Sequence, residues 1–251
     1  IALISGAGSG LGKATAIHLA REGARIVATD IDGDTAEATA ASINGEFQGA
    51  ALAAVHDVTK PDQWTAAVDL AGSHFGGLNI LVNNAGISLH GDVESTAYSD
   101  FQKLMDINLN SVFLGCQEAM KLMKTSGAGS IINISSVAGI MGNPNTIAYG
   151  TTKAGVAYMT KCVALDCAQK GYPIRCNSIH PTYIRTPLID QFLHEDGALE
   201  RLGKMIPLGR INETEDVTFA ILFLASDESA MMTGSELVID GGLSCGHTPR
   251  V

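Results

Sequence analysis

The chain has 251 residues, 46% of them hydrophobic and only 5% aromatic, with a formal net charge of −10. That length suits one α/β domain with a sizeable core rather than two domains. The acidic balance, with no basic stripe to offset it, argues against nucleic acid or an anionic membrane surface as partner.

Five cysteines (Cys116, Cys162, Cys167, Cys176 and Cys245) include no CxxC pair, and no histidine stands near the Cys162/Cys167 spacing. They read as reduced cytosolic thiols, and no metal is expected. The opening residues match neither a signal nor a transit pattern, and no apolar run approaches the roughly 20 residues of a membrane span, so a cytoplasmic location is expected. Ile1 already lies inside an apolar run, so the first strand is expected to begin upstream of it.

In chain order, Ile1–Ile4 is a short apolar run, followed by Ser5-Gly6-Ala7-Gly8-Ser9-Gly10-Leu11-Gly12 and a helical pattern from Lys13 to Arg21. Glycines between a strand and a helix let the backbone approach a pyrophosphate, which then rests against the helix N–H groups. The strict GxGxxG fingerprint fails; Gly6, Gly10 and Gly12 form GxxxGxG instead. A second strand, Ala24–Thr29, ends at Asp30, which lies 30 − 12 = 18 residues past the last glycine. That is close to the interval of about 20 residues at which an acid grips an adenosine ribose. A carboxylate there accepts from a 2′-hydroxyl and repels a 2′-phosphate. Neither Ile31 nor Asp32 supplies a cation, and Ser9 does not either, so NAD is expected rather than NADP.

Further strands are predicted at Ala50–Val55, ending in His56-Asp57-Val58, and at Asn79–Val82, ending in Asn83-Asn84-Ala85-Gly86. A helix entered at Pro61 carries Trp64 between them. One long helix is predicted over Tyr98–Lys124 with Asn108 in its middle, where a solvent-facing or locally satisfied amide is the simpler reading. The strand Ser130–Ile134 leads to Ser136, and a helix runs from near Tyr149 to Lys170. A sixth strand, Ile174–Ile179, ends at His180-Pro181-Thr182-Tyr183. The mixed segment 187–206 suits a substrate loop or lid. A helix over Glu213–Leu224 and a strand at Glu236–Ile239 finish the pattern. Alternating strands and helices predict a single-domain, doubly wound (Rossmann-type), mostly parallel seven-stranded sheet with helices on both faces. Ligands in such sheets gather at the carboxyl ends of strands, where Asp30, Asp57, Asn84 and Ser136 all fall.

Tyr149 and Lys153 stand four apart at a helix start, so they share a face. A phenol beside an ammonium forms a proton-transfer pair. A free Tyr titrates near about 10, and acting as a base at neutral pH asks for roughly 4 kcal/mol, part of which a close cation can supply. Ser136 adds a hydroxyl able to hold a substrate oxygen. His180 invites a Ser136-His180 triad, but no GxSxG elbow surrounds Ser135-Ser136, so none is expected.

Taken together these motifs resemble the short-chain dehydrogenase/reductase family over nearly the whole chain. Gly6, Gly10 and Gly12 match its cofactor turn, Asp57 its adenine-binding aspartate and Asn83-Asn84-Ala85-Gly86 its central strand motif. Ser136 matches the serine thirteen residues before the tyrosine (149 − 136 = 13), and Tyr149 with Lys153 matches the YxxxK pair; Asn108 matches the helix asparagine. The resemblance implies a Ser136–Tyr149–Lys153–Asn108 mechanism. Ser136 orients the substrate oxygen and Tyr149 exchanges its proton; Lys153 lowers the phenol and binds the nicotinamide ribose, while Asn108 holds a water leading to solvent.

It also implies cofactor contacts from Ser9, Leu11, Ile31, Val58, Ala85, Pro181, Ile184 and Thr186, and a homotetramer. Ser5 replaces the usual threonine, and Thr182 replaces the usual glycine after Pro181. Stretches Ile107–Cys116 and His180–Pro187 look most like members oxidising cyclic alcohols and hydroxysteroids. Ile140, Met141, Ile147, Tyr183, Leu188 and Phe192 favour an apolar small-molecule substrate. An NADP-dependent 3-ketoacyl-carrier reductase and a catalytically silent dinucleotide sensor are the alternatives.

Overall fold

Each short apolar run becomes a strand: β1 (Ala2–Ser5), β2 (Ile26–Asp30), β3 (Ala51–Val55), β4 (Ile80–Asn83), β5 (Gly129–Ile134), β6 (Ile174–Pro181) and β7 (Glu236–Ile239). All pair in parallel, in the order β3-β2-β1-β4-β5-β6-β7. This computed structural model describes residues 1–190 and 197–246. The predicted residues Phe192 and Leu193, and the tail from 247 on, lie outside them.

The helices are α1 (Gly10–Arg21), α2 (Gly33–Glu46), α3 (Pro61–Phe75), α4 (Tyr98–Met105), α5 (Ser111–Met123), α6 (Ile147–Gln169), α7 (Pro187–Asp190), α8 (Ala198–Met205) and α9 (Thr214–Ala225). Because successive strand side chains point to opposite faces, each central strand feeds two cores. Ile4, Val82 and Ile132 pack with Leu19, Ile43, Val217 and Leu224 of α1, α2 and α9. Leu3, Leu81 and Ile131 pack with Trp64, Val112, Ala119 and Val156 of α3, α5 and α6. Burying side chains on both faces explains why the strands read as continuous apolar runs rather than alternating ones.

The chain order reverses between β1 and β4, and a crevice opens at the carboxyl ends of strands on either side of such a point. The Ser5 hydroxyl accepts from the Asn84 and Ala85 N–H groups, each at 3.1 Å, and so holds the ends of β1 and β4 together. Serine in place of threonine keeps this bridge.

One expectation is corrected. The helix predicted over Tyr98–Lys124 is two α-helices joined by a π-helical turn, Asp106–Asn110. A π turn closes i→i+5 hydrogen bonds and adds one residue to the turn, and no glycine or proline stands within it to mark the break.

Candidate active site

The glycine turn is built for close approach. Gly6 (φ +66°) and Gly10 (φ +51°) take left-handed conformations, which side chains disfavour. A Cβ on Gly12 would overlap the Gly6 carbonyl oxygen, and one on Gly8 would overlap the Thr35 hydroxyl. Gly8 was not singled out from sequence, although it continues the every-second-residue spacing of Gly6, Gly10 and Gly12. Ser9 makes no side-chain cap on α1, so the first N–H groups of that helix are not met by its hydroxyl. The Leu11 side chain is buried in the core, which leaves its backbone as the part facing the turn.

Asp30, at the end of β2, accepts from the Gly8 N–H at 2.9 Å and from the Asp32 N–H at 3.1 Å. Its carboxylate therefore ties the glycine turn to the strand end where a ribose diol would lie, beside the exposed Ile31. Asp57 accepts from the Thr59 N–H (3.0 Å) and hydroxyl (2.7 Å). Burial pushes that carboxyl up, but the two Thr59 bonds outweigh it and hold it below the usual range. The buried His56 beside it is lowered to about 4 by desolvation, and Val58, also buried, gives its carbonyl to the Trp64 indole N–H at 2.9 Å. Asn84 donates to the Ser5 and Gly6 carbonyls at 2.9 and 3.1 Å. These residues fit a dinucleotide: a bare backbone cradle, open helix N–H groups and an acid at the ribose distance.

Across the crevice, Ser136 follows β5. Its hydroxyl accepts from the Ala138 N–H at 3.1 Å and stands close enough to the Tyr149 phenol to favour its ionised form. Tyr149 opens α6. Burial pushes its phenol above the usual value, against a pull downward from Ser136. Lys153, buried one turn on, donates to the Ile134 carbonyl at 2.8 Å, and its Nζ lies 5.7 Å from the Tyr149 ring centre. Desolvation lowers this ammonium to about 8. The expectation that Lys153 depresses the phenol is therefore not met in this geometry. The ammonium is bound to a main-chain carbonyl rather than to the phenol oxygen, and burial dominates both groups.

Asn108 sits in the π turn and is fully buried. Its Oδ1 accepts from the Ile87 N–H at 2.9 Å, and its Nδ2 donates to the Ile87 carbonyl at 2.8 Å. The amide is thus satisfied locally, and it nevertheless borders the site. A Cβ on Gly86 would stand 3.2 Å from Asn108 Oδ1 and 3.6 Å from Lys153 Nζ. Thr152 links the two elements, contacting Asn108 Nδ2 at 3.5 Å and donating to the Tyr149 carbonyl at 2.7 Å. No sequence spacing pointed to Thr152.

The segment after β6 closes the site. Thr186 lies against Gly10, so the segment expected to contact the cofactor after β6 meets the glycine turn. Pro181 gives its carbonyl to the Ser136 hydroxyl at 3.5 Å, and Ile184 bridges to Asn212. Thr182 has no positive φ, so the backbone path here does not require the usual glycine. The Thr182 hydroxyl is shielded and unpartnered among the described residues. Half-buried Tyr183 and partly exposed Ile140 and Met141 lie on the loops flanking these elements, and exposed Leu188 lies on α7. His180 touches the Ser136 carbonyl rather than its hydroxyl, so the pair is no nucleophile and base. All five cysteines are free, and no cluster of potential metal ligands occurs among the described residues.

The whole chain is similar to known proteins. The profile of a family described as Enoyl-(Acyl carrier protein) reductase matches residues 6–244. A trans-4-hydroxycyclohexanecarboxylate dehydrogenase of Sinomonas cyclohexanicum is 44% identical over 100% of this chain and 95% of its own. An NADP-dependent (R)-specific alcohol dehydrogenase of Lentilactobacillus kefiri is 40% identical over 96% of this chain and 95% of its own. A 3-alpha-(or 20-beta)-hydroxysteroid dehydrogenase of Mycobacterium tuberculosis is 43% identical over 98% of this chain and 90% of its own. Among solved structures, a short-chain type dehydrogenase/reductase from Mycobacterium marinum superposes with a TM-score of 0.90 at 37% identity, over 98% of this chain and 95% of that one.

Proposed function

Because this chain belongs to the short-chain dehydrogenase/reductase family, we propose that it is an NAD-dependent enzyme interconverting a secondary alcohol and its ketone, with a cyclic or otherwise apolar substrate. The observation that carries the reading is the meeting of the Ser136 hydroxyl, the Tyr149 phenol and buried Lys153, whose Nζ lies 5.7 Å from the Tyr149 ring centre, at the sheet edge that also holds the glycine turn. The cyclic-alcohol and hydroxysteroid dehydrogenases among the relatives support the substrate class.

Gly6, Gly10 and Gly12 would hold the cofactor pyrophosphate, Asp30 the adenosine ribose, and Lys153 the nicotinamide ribose. NAD, when bound, supplies the hydride acceptor. Ser136 holds the substrate oxygen against Tyr149. In oxidation the phenolate oxygen of Tyr149 takes the alcohol proton; in reduction the phenol returns a proton to the carbonyl oxygen. Asn108 and Thr152 hold the π turn and the start of α6 in register, so that Lys153 stays beside the tyrosine.

Two expected results follow from the groups themselves. Burial keeps the Tyr149 phenol protonated through the neutral range, which suits proton donation. Alcohol oxidation should therefore climb as the pH rises into the alkaline range, while ketone reduction runs fully at neutral pH. Measuring kcat against pH in both directions checks this, and an oxidation rate already level at neutral pH would contradict it. Asp30→Asn keeps an oxygen for the Gly8 N–H but removes the charge. The preference for NAD over NADP should then narrow by about tenfold or more. An unchanged ratio of kcat/KM values would remove Asp30 from the ribose.

Exposed Phe113, Tyr158 and Leu165 on α5 and α6 support a homotetramer, to be read by light scattering. No helix among the described residues is long and apolar enough to cross a membrane, which is compatible with the proposed cytoplasmic location. The reading is tested by assaying cyclohexanol, cyclopentanol and a hydroxysteroid with both cofactors. Faster turnover with NADP would replace the NAD assignment. NAD binding without turnover of any alcohol would favour a silent sensor.

A further inference from the structure

A fully buried histidine that takes no part in the proposed proton transfer lies directly behind Ser136. His180, on β6, has Nδ1 3.2 Å from the Ser136 carbonyl oxygen and Nε2 2.9 Å from the Ser178 hydroxyl. A carbonyl has no proton to give, so Nδ1 carries the hydrogen and Nε2 accepts from Ser178. One neutral tautomer satisfies both contacts, and burial, which disfavours the charged ring, holds it in that form. Behind Nε2, at 4.0 Å, lies Glu236 of β7, itself paired with Lys161 of α6 at 2.5 Å. The ring is therefore fixed by two hydrogen bonds, one within β6 and one to the chain that follows β5.

Ser136 needs such a hold because β5 ends just before it and a short 3-10 turn, Val137–Gly139, begins just after it. Its carbonyl receives the Gly139 N–H at 2.9 Å as well as the His180 ring. Two donors on one carbonyl fix the Ser136–Val137 peptide plane. The direction of the Ser136 side chain relative to α6 follows from that plane. The preceding residue is held in the same way, with the Ser135 N–H on the Ile179 carbonyl and its hydroxyl on the Lys153 carbonyl, both at 2.8 Å.

We propose that His180 is a positioning residue: its Nδ1–H holds the Ser136 carbonyl, and thereby aims the Ser136 hydroxyl that orients the substrate oxygen toward Tyr149. This inference rests on the secondary-alcohol reading given above. Asparagine and leucine share nearly the same shape, and the Asn Nδ2 branches from Cγ as Nδ1 does in histidine. His180→Asn and His180→Leu therefore differ chiefly in whether a donor reaches the Ser136 carbonyl.

With cyclohexanol and NAD, kcat of His180→Asn should exceed that of His180→Leu by about tenfold, with the Kd for NAD equal in the two. Amide hydrogen exchange in the peptide 136–141, measured without substrate, should be about tenfold faster in the leucine variant. Both must differ for the assignment to stand; a kcat ratio near one, or equal exchange, overturns it. If His180→Leu does not fold, Ser178→Ala removes only the anchor of the ring: faster exchange than wild type in 136–141 supports the assignment, and unchanged exchange overturns it. Failure of the wild-type enzyme on every alcohol would sink the proposed reaction instead, and exchange would then decide whether His180 holds the turn.

Discussion

Tyr149→Phe should lower turnover by about a thousandfold, within the range by which a positioned proton donor or acceptor accelerates reactions. The substitution removes one oxygen, the one that faces Ser136, and leaves the ring at the start of α6. Thr152 bonds the Tyr149 main-chain carbonyl, so the local helix is held independently of the phenol. The Kd for NAD, followed by fluorescence, and the melting temperature should therefore stay near the wild-type values. Turnover within tenfold of wild type would exclude Tyr149 as the proton carrier.

Lys153→Met should abolish activity, and its effect on stability should change sign with pH. In the fold the ammonium titrates near 8 instead of 10.5, because burial disfavours its charge. A group whose folded value is depressed in this way, and which is cationic when protonated, costs stability once it is charged. The wild-type protein therefore carries the full cost below about pH 8, sheds it progressively up to 10.5, and carries none above. That cost is on the order of 3 kcal/mol. Methionine has no charge to bury but leaves the Ile134 carbonyl without its donor at 2.8 Å, a loss of about 1–3 kcal/mol. At neutral pH the variant should be at least as stable as wild type, and above pH 10.5 less stable. Denaturant midpoints at the two pH values check the reversal. A variant less stable by the same amount at both would show that Lys153 carries no desolvation cost.

The alternation of apolar runs with helical patterns was legible because a sheet buried on both faces leaves unbroken aliphatic runs such as Ile131-Ile132 and Leu81-Val82. The glycine turn, Asp30 and the Tyr149/Lys153 spacing were legible for a related reason: each is a local pattern, complete within a few residues. What stayed hidden depends on contacts between distant segments. Asn108 was singled out only by the family resemblance, and its partner Ile87 and the π turn beneath it leave no local trace in the sequence. Thr182 stood out as a departure from a family pattern, yet only the backbone reveals that its φ needs no glycine. The i,i+4 spacing brings Tyr149 and Lys153 to one face without saying which oxygen the ammonium will choose, here the Ile134 carbonyl. Gly8 was in plain view, but its role depends on Thr35 packing above it.

The π turn at Asp106–Asn110 makes the long connection between β4 and β5 behave as two gears on separate shafts. An α-helix advances about 100° per residue, so a single inserted residue offsets everything downstream by that angle. Deleting one residue between 106 and 110 would put α4 and α5 back on one shaft. Asn108 would turn away from Lys153, or else Val112, Cys116 and Ala119 would turn out of the sheet's core. Length in this stretch is therefore the quantity that cannot drift.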